Sequence, residues 1–314
     1  MGHSFMLRPM ALGLVLALAA AADAAAACKP DALGTSRVIA VDPAEHGRIG
    51  TMQYGETLPL NDHEVVLTFD DGPLPPRTTK VLDILTDECV RATFFLVGKM
   101  ASAFPSVVRR ELSDGHTIAT HSQTHSPKIW TWPIANQEAE INAGIASVGK
   151  ALGDPSALAP FFRFPGLGKS AEIEKDLAAQ GIMIWSADFP ADDWLRIGAK
   201  QVAARALQRL ERKGKGVLLL HDIHPVTVAA LPILFAELKK RHYSVVHVVP
   251  AGPNQPKTET DPRQWVLEMP AKPVVTAKPV VTAKPVVTAK PVVTAKPVVT
   301  AKPVIPAKPI VTPR

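Results

Sequence analysis

Between residues 65 and 249 the chain alternates short β-branched runs with longer helical patterns, and that alternation leaves few folds open. Strands read at 65–69, 92–96, 116–120, 161–164, 182–186, 217–220 and 244–249. Helical periodicity falls between them, at 78–88, 104–114, 136–152, 171–180, 199–213 and 229–241. Four of these helices run into a glycine, Gly115, Gly153, Gly181 or Gly214, the residue that most readily ends a helix. Strand–helix alternation of this kind builds a parallel sheet, and seven units without a long interruption predict a closed (β/α) barrel rather than an open sheet. Residues 28–63 are mixed and turn-rich, and carry no pattern beyond a cover for one end of the domain.

In such a barrel reactive residues gather where the strands end. The first strand stops at Asp70-Asp71-Gly72-Pro73, and the third runs into His121-Ser122-Gln123-Thr124-His125. Arg163 closes the fourth, Asp188 follows the fifth and His221 follows the sixth. Each feature alone has a plain structural explanation: acids in a Gly-Pro turn, solvated histidines, a core histidine after an apolar strand. Five polar strand ends in one chain point to a site. Two imidazoles four residues apart with one strand-end carboxylate make a zinc-type donor set of three, with room for water. Asp71 is the expected third donor, which leaves Asp70 as a base beside that water.

The first 27 residues combine Arg8, an apolar stretch and Ala-x-Ala spacing, which reads as an export leader too short for a comfortable membrane span. An exported chain with two cysteines, Cys28 and Cys89, is expected to form one disulfide, and neither has zinc-site spacing. Lipidation of Cys28 is the competing reading; Ala25 lacks the branched apolar character that would favour it. The formal charge of +6 is unevenly placed. Residues 271–314 hold seven lysines and Arg314 without an acid, which is +8 and leaves −2 for residues 1–270. The folded part is thus not a basic nucleic-acid binder. Its sequence passes through a Pro-, Lys- and Thr-rich linker at 251–270 into five copies of Ala-Lys-Pro-Val-Val-Thr and two degenerate ones. Proline every six residues predicts an extended, disordered arm of about 130 Å at full stretch. It reads either as a basic tether to an acidic envelope polymer or as a passive spacer.

Thr68-Phe69-Asp70-Asp71-Gly72-Pro73, His121-Ser122-Gln123-Thr124-His125, Arg163-Phe164-Pro165-Gly166 and Leu218-Leu219-Leu220-His221 resemble, in order and spacing, the motifs of the polysaccharide deacetylases. These are the family-four carbohydrate esterases that include the nodulation-protein-B-like enzymes. The resemblance covers about residues 63–250. It implies a distorted seven-stranded (β/α) barrel and metal-dependent removal of N-acetyl or O-acetyl groups from sugars. It also implies Asp70 as base, Asp71, His121 and His125 as ligands of a divalent metal (zinc, with cobalt or nickel as alternatives), Arg163 as the partner of the base, and His221 as general acid.

Two departures stand out. The family's aromatic residue after the third-motif arginine is replaced by Gly166 and Leu167, so the oxyanion donor would be the Gly166 amide. The acid that orients His221 lies in Asp188-Phe189-Pro190-Ala191-Asp192-Asp193-Trp194, whose spacing is altered. Asp193 is expected, with Trp194 packing nearby, and Asp188 and Asp192 are alternatives. Asp222 and His224 flank the site as supporting residues. The reading is a monomeric exported deacetylase, with catalytic residues 28–250, acting on N-acetylglucosamine polymers. An O-acetyl esterase on xylan-like polymer and a non-catalytic wall-binding protein are the competitors.

Overall fold

The computed structural model describes residues 28–267 together with Gly2; the rest of the leader, residues 268–270 and the repeat tail lie outside the described residues. Ten strands form one sheet: β1 (Thr35–Val41), β2 (Arg48–Ile49), β3 (Glu64–Asp70), β4 (Thr93–Leu96), β5 (Thr117–Thr120), β6 (Phe161–Phe162), β7 (Met183–Trp185), β8 (Phe189–Pro190), β9 (Gly216–His221) and β10 (Ser244–Pro250). The strands pair in parallel throughout. Seven α-helices connect them, named α1 (Arg77–Asp87), α2 (Gly98–Ala103), α3 (Pro105–Ser113), α4 (Ile134–Leu152), α5 (Ala171–Ala179), α6 (Ala199–Lys213) and α7 (Pro225–Lys240).

All seven expected strands are present, and the four helix-ending glycines have left-handed backbone, with φ between 71° and 84°. The ring runs β3–β4–β5–β6–β7, and closure then depends on a broken stave. β7 pairs with β6; after three intervening residues, β8 pairs with β9, which returns to β3. The last expected strand, β10, meets β3 only at Glu64 and Val65 and otherwise carries β1. This is the distortion of the barrel.

Strand periodicity divides the core in two. Val65, Leu67 and Phe69 face outward into the layer under the helices, with Phe94, Leu96, Leu218 and Leu220. Val66, Phe95, Ala119, Phe161, Trp185 and Val217 fill the interior. The same parity, continued to the strand ends, turns Asp70, His121, Arg163 and His221 inward at one mouth. The core thus sets the direction of the functional side chains.

Residues 28–63 do more than cover an end: β1 and β2 extend the sheet. Residues 251–267, expected as a linker, pack back on the domain. Thr258 exchanges hydrogen bonds with Ala40, and Trp265 is buried and stacks on His46. Cys28 and Cys89 are joined in a disulfide that ties the first described residues to the turn after α1. Among the described residues no helix is long and apolar enough to cross a membrane.

Candidate active site

Arg163 is a fully buried charge at the barrel mouth. Its Nη1 donates to Asp70 Oδ1 at 2.6 Å and to Thr68 Oγ1 at 2.9 Å, and its Nη2 donates to the Ser186 carbonyl at 2.9 Å. The guanidinium also lies over the Phe95 ring, 4.1 Å from its centroid. A charge so placed is tolerable only when paired, and Asp70, itself buried, is the partner. Burial draws the Arg163 pKa down, opposed by Asp70.

The Arg163 backbone orients the next residue. Its carbonyl accepts a hydrogen bond from His121 Nδ1 at 2.7 Å, which fixes the tautomer and turns Nε2 toward the acids. His121 Nε2 lies 3.6 Å from Asp71 Oδ1 and 3.7 Å from Asp70 Oδ2, and His125 Nε2 lies 3.1 Å from Asp71 Oδ1. Donor atoms of Asp71, His121 and His125 all fall within 4.8 Å of one another. Asp71, Ser122 and His125 hold left-handed backbone, with φ of 78°, 64° and 58°. Non-glycine residues keep that conformation only where their surroundings over-determine it. Ser122 Oγ contributes by accepting the His125 amide at 3.1 Å.

These contacts set the charges. Burial disfavours a charged His121 and draws its pKa down. Burial also acts against ionised Asp71, but the imidazole of His125, 3.1 Å from its Oδ1, together with His121, holds it well below the usual carboxylate range. His125 moves the other way: burial opposes its charge, and Asp71 outweighs burial to raise it.

Across the mouth, His221 Nδ1 donates to Asp193 Oδ1 at 2.8 Å, while Asp193 Oδ2 accepts the His221 amide at 2.7 Å and Thr227 Oγ1 at 2.6 Å. Burial lowers the His221 pKa, but the Asp193 bond and nearby carboxylates prevail and push it up to about 9. The Trp194 ring meets His221 edge-on at 5.5 Å.

Of the three acids that the sequence left open, Asp193 alone contacts His221. Asp192 pairs with Arg205 and Arg209. Asp188 accepts from Thr51, Thr57 and the Val217 amide. Asp222 is buried against Thr78, and burial pushes its pKa up to about 7. Its carboxylate lies so close to Gly72 that a Cβ there would fall 2.2 Å from an oxygen, so only glycine fits.

One cavity of about 540 Å³ joins these groups, lined by Asp70, Asp71, His121, His125 and His221 with Gly166 and Trp194. Four further residues share it: Met52, Leu167, Leu219 and His224. Alternation along β9 could have assigned Leu219, two residues before His221. Nothing in the sequence around Met52 marks it.

The chain has counterparts among known proteins. The polysaccharide deacetylase family model matches residues 58–185. The chitooligosaccharide deacetylase of a Bradyrhizobium species is 32% identical over 204 residues, 59% of this chain and 89% of that relative. A peptidoglycan-N-acetylglucosamine deacetylase of Bacillus cereus is 33% identical over 187 residues, 56% of this chain and 66% of the relative. Its Listeria monocytogenes counterpart is 32% identical, and the match spans only 38% of its length. Among solved structures, the Bdellovibrio bacteriovorus peptidoglycan deacetylase superposes with a TM-score of 0.62 at 30% identity, covering 69% of this chain and 60% of that one. A chain that matches this family's model and aligns at 32% identity with nearly nine tenths of one such relative belongs to the polysaccharide deacetylase family.

Proposed function

We propose that this chain is an exported, metal-dependent hydrolase that removes N-acetyl groups from N-acetylglucosamine-containing polysaccharide, either peptidoglycan or a chitin-like oligosaccharide. The observation that carries this reading is a donor triad flanked by two separately held groups, Asp70 on Arg163 and His221 on Asp193. The triad suits a divalent cation. Asp71 Oδ1 is buried without a hydrogen bond of good geometry, and His121 is held with Nε2 toward it. Asp71, His121 and His125 would hold the ion, with zinc expected and cobalt or nickel compatible with the same donors. When bound, the ion supplies a Lewis acid that acidifies water and polarises the acyl carbonyl.

The chain's own groups do the rest. Asp70, kept in place by Arg163, accepts the proton of the attacking water. The Gly166 amide donates to the carbonyl oxygen as negative charge develops there. His221, charged through Asp193, gives its proton to the nitrogen as the C–N bond breaks, so the amine leaves neutral and acetate is the second product. Residues 1–27 serve as the export leader and 28–250 as the catalytic domain, in a compartment where the Cys28–Cys89 disulfide persists.

Acetate release from peptidoglycan, chitooligosaccharides and acetylated xylan by the zinc-loaded protein tests this reading. Asp70→Asn is expected to abolish release while retaining zinc, and His125→Ala to lose both. Full activity in Asp70→Asn would overturn the base assignment. Release from xylan alone would make the chain an O-acetyl esterase. Absence of both release and zinc would favour a non-catalytic wall-binding protein.

A further inference from the structure

Met52 is exposed, 44% of its surface reaching solvent, yet it lines the same cavity as Asp70 and His221. It sits on a turn of residues 50–55 that precedes the stretch matched to the family model and takes no part in closing the barrel. That turn is held from three sides. Asp188 accepts from the Thr51 amide at 2.9 Å, from Thr51 Oγ1 at 2.7 Å and from Thr57 Oγ1 at 2.5 Å, and the Met52 amide donates to the Ala187 carbonyl at 2.9 Å. Gln53 Nε2 donates to the carbonyls of Leu167 and Gly168, at 2.6 and 3.2 Å, and Lys169 Nζ returns a bond to the Gln53 carbonyl at 2.6 Å. Gly50, with φ of 103°, passes so close to Ser186 that a Cβ would lie 2.5 Å from its carbonyl carbon.

We propose that this turn is a wall of the substrate cleft and that Met52 is its specificity-determining residue, packing on a sugar ring of the polysaccharide beside the residue being deacetylated. The proposal rests on the deacetylase reading above. Its chemistry follows from the lining. Met52, Leu167 and Trp194 are apolar side chains at the cavity, which suits the apolar face of a pyranose, while the reacting groups lie deeper. Methionine is unbranched and polarisable, and conforms to an irregular surface. The turn is linked to the one carrying Gly166 and Leu167, where the family's aromatic residue is missing, so bulk absent from one segment is supplied by another. A wall fixed before binding loses little freedom when the sugar arrives.

Met52→Asp, in the metal-loaded full chain, tests this. The KM for penta-N-acetylchitopentaose is expected to rise about tenfold, with kcat altered far less, because a charge replaces apolar contact in a binding wall. Direct binding of the same pentasaccharide, read by calorimetry, weakens in parallel, and Met52→Leu restores both. Unchanged KM and binding in Met52→Asp would overturn the proposal, as would a loss confined to kcat. If the wild-type chain binds the pentasaccharide through Met52 but releases no acetate, the wall stands and the deacetylase reading falls.

Discussion

Arg163 and His221 are both charged side chains in a barrel mouth, and each is kept charged by one carboxylate. Their roles differ because their protons differ. Arginine keeps its proton throughout the working pH range, so Arg163 can only hold Asp70 in place. An imidazolium can release a proton, and Asp193 decides when. With the His221 pKa near 9, the proposed acid is loaded throughout the neutral range and empties only as pH rises past that value. Asp193→Asn keeps the shape and removes the charge. The His221 pKa in the metal-free protein, followed by NMR, is then expected to fall by about one unit or more. In the loaded enzyme the basic limb of kcat/KM moves to lower pH, so the variant loses more activity at pH 8 than at pH 6. An unmoved limb would remove His221 from the role of acid. The identity of that acid's partner was legible only in part. Asp193 is the acid the sequence favours, with Asp188 and Asp192 left open in the same loop, and the fold separates them by giving Asp192 two arginines and Asp188 two threonines.

At the scale of elements, the sequence shows the staves and hides the joints. β3, β9 and β10 are runs of six or seven residues with a strong apolar pattern, and they stand where periodicity put them. β2 and β8 are two residues each, too short for any period, and β8 was legible only as part of an acidic loop. Helix α7 starts at Pro225, four residues ahead of its expected start, because proline is well suited to the first helical turn. The turn carrying Met52 was invisible for a related reason: it is held by partners more than a hundred residues away, Asp188 and Leu167 among them. The disulfide belongs to this scale too. Cys28 and Cys89 close a span of 61 residues, and Glu88 reinforces the junction by accepting the Leu33 and Gly34 amides. Cross-linking a loop of that length restricts the unfolded chain most, so Cys89→Ser is expected to cost about 2–4 kcal/mol. Urea unfolding with and without reductant measures it; equal midpoints for the variant and the oxidised wild type would assign the joint's strength to the hydrogen bonds alone.

For the whole molecule, charge divides the chain more sharply than fold does. Residues 1–270 carry −2 and residues 271–314 carry +8. The lysines recur every six residues, a spacing of about 19 Å if the proline-rich sequence is extended. At physiological ionic strength the screening length is about 8 Å, so successive lysines scarcely reinforce one another. Such an arm makes a weak point contact but can engage a long polyanion at many places, each contributing a little. We propose on that ground that the tail tethers the enzyme to an acidic envelope polymer. The full chain is expected to sediment with an insoluble anionic polysaccharide such as carboxymethyl cellulose at about 0.02 M salt and to leave it near 0.2 M. A chain ending at Pro270 has the opposite net sign and stays in solution at both. Equal retention of the two chains would make the tail a spacer. Because the residues that line the candidate site all lie between 52 and 224, removing the tail should leave kcat/KM on soluble chitooligosaccharide unchanged while lowering acetate release from an insoluble acidic wall. That pairing separates a tether, which raises local concentration, from an added substrate site, which would alter turnover of the soluble substrate as well.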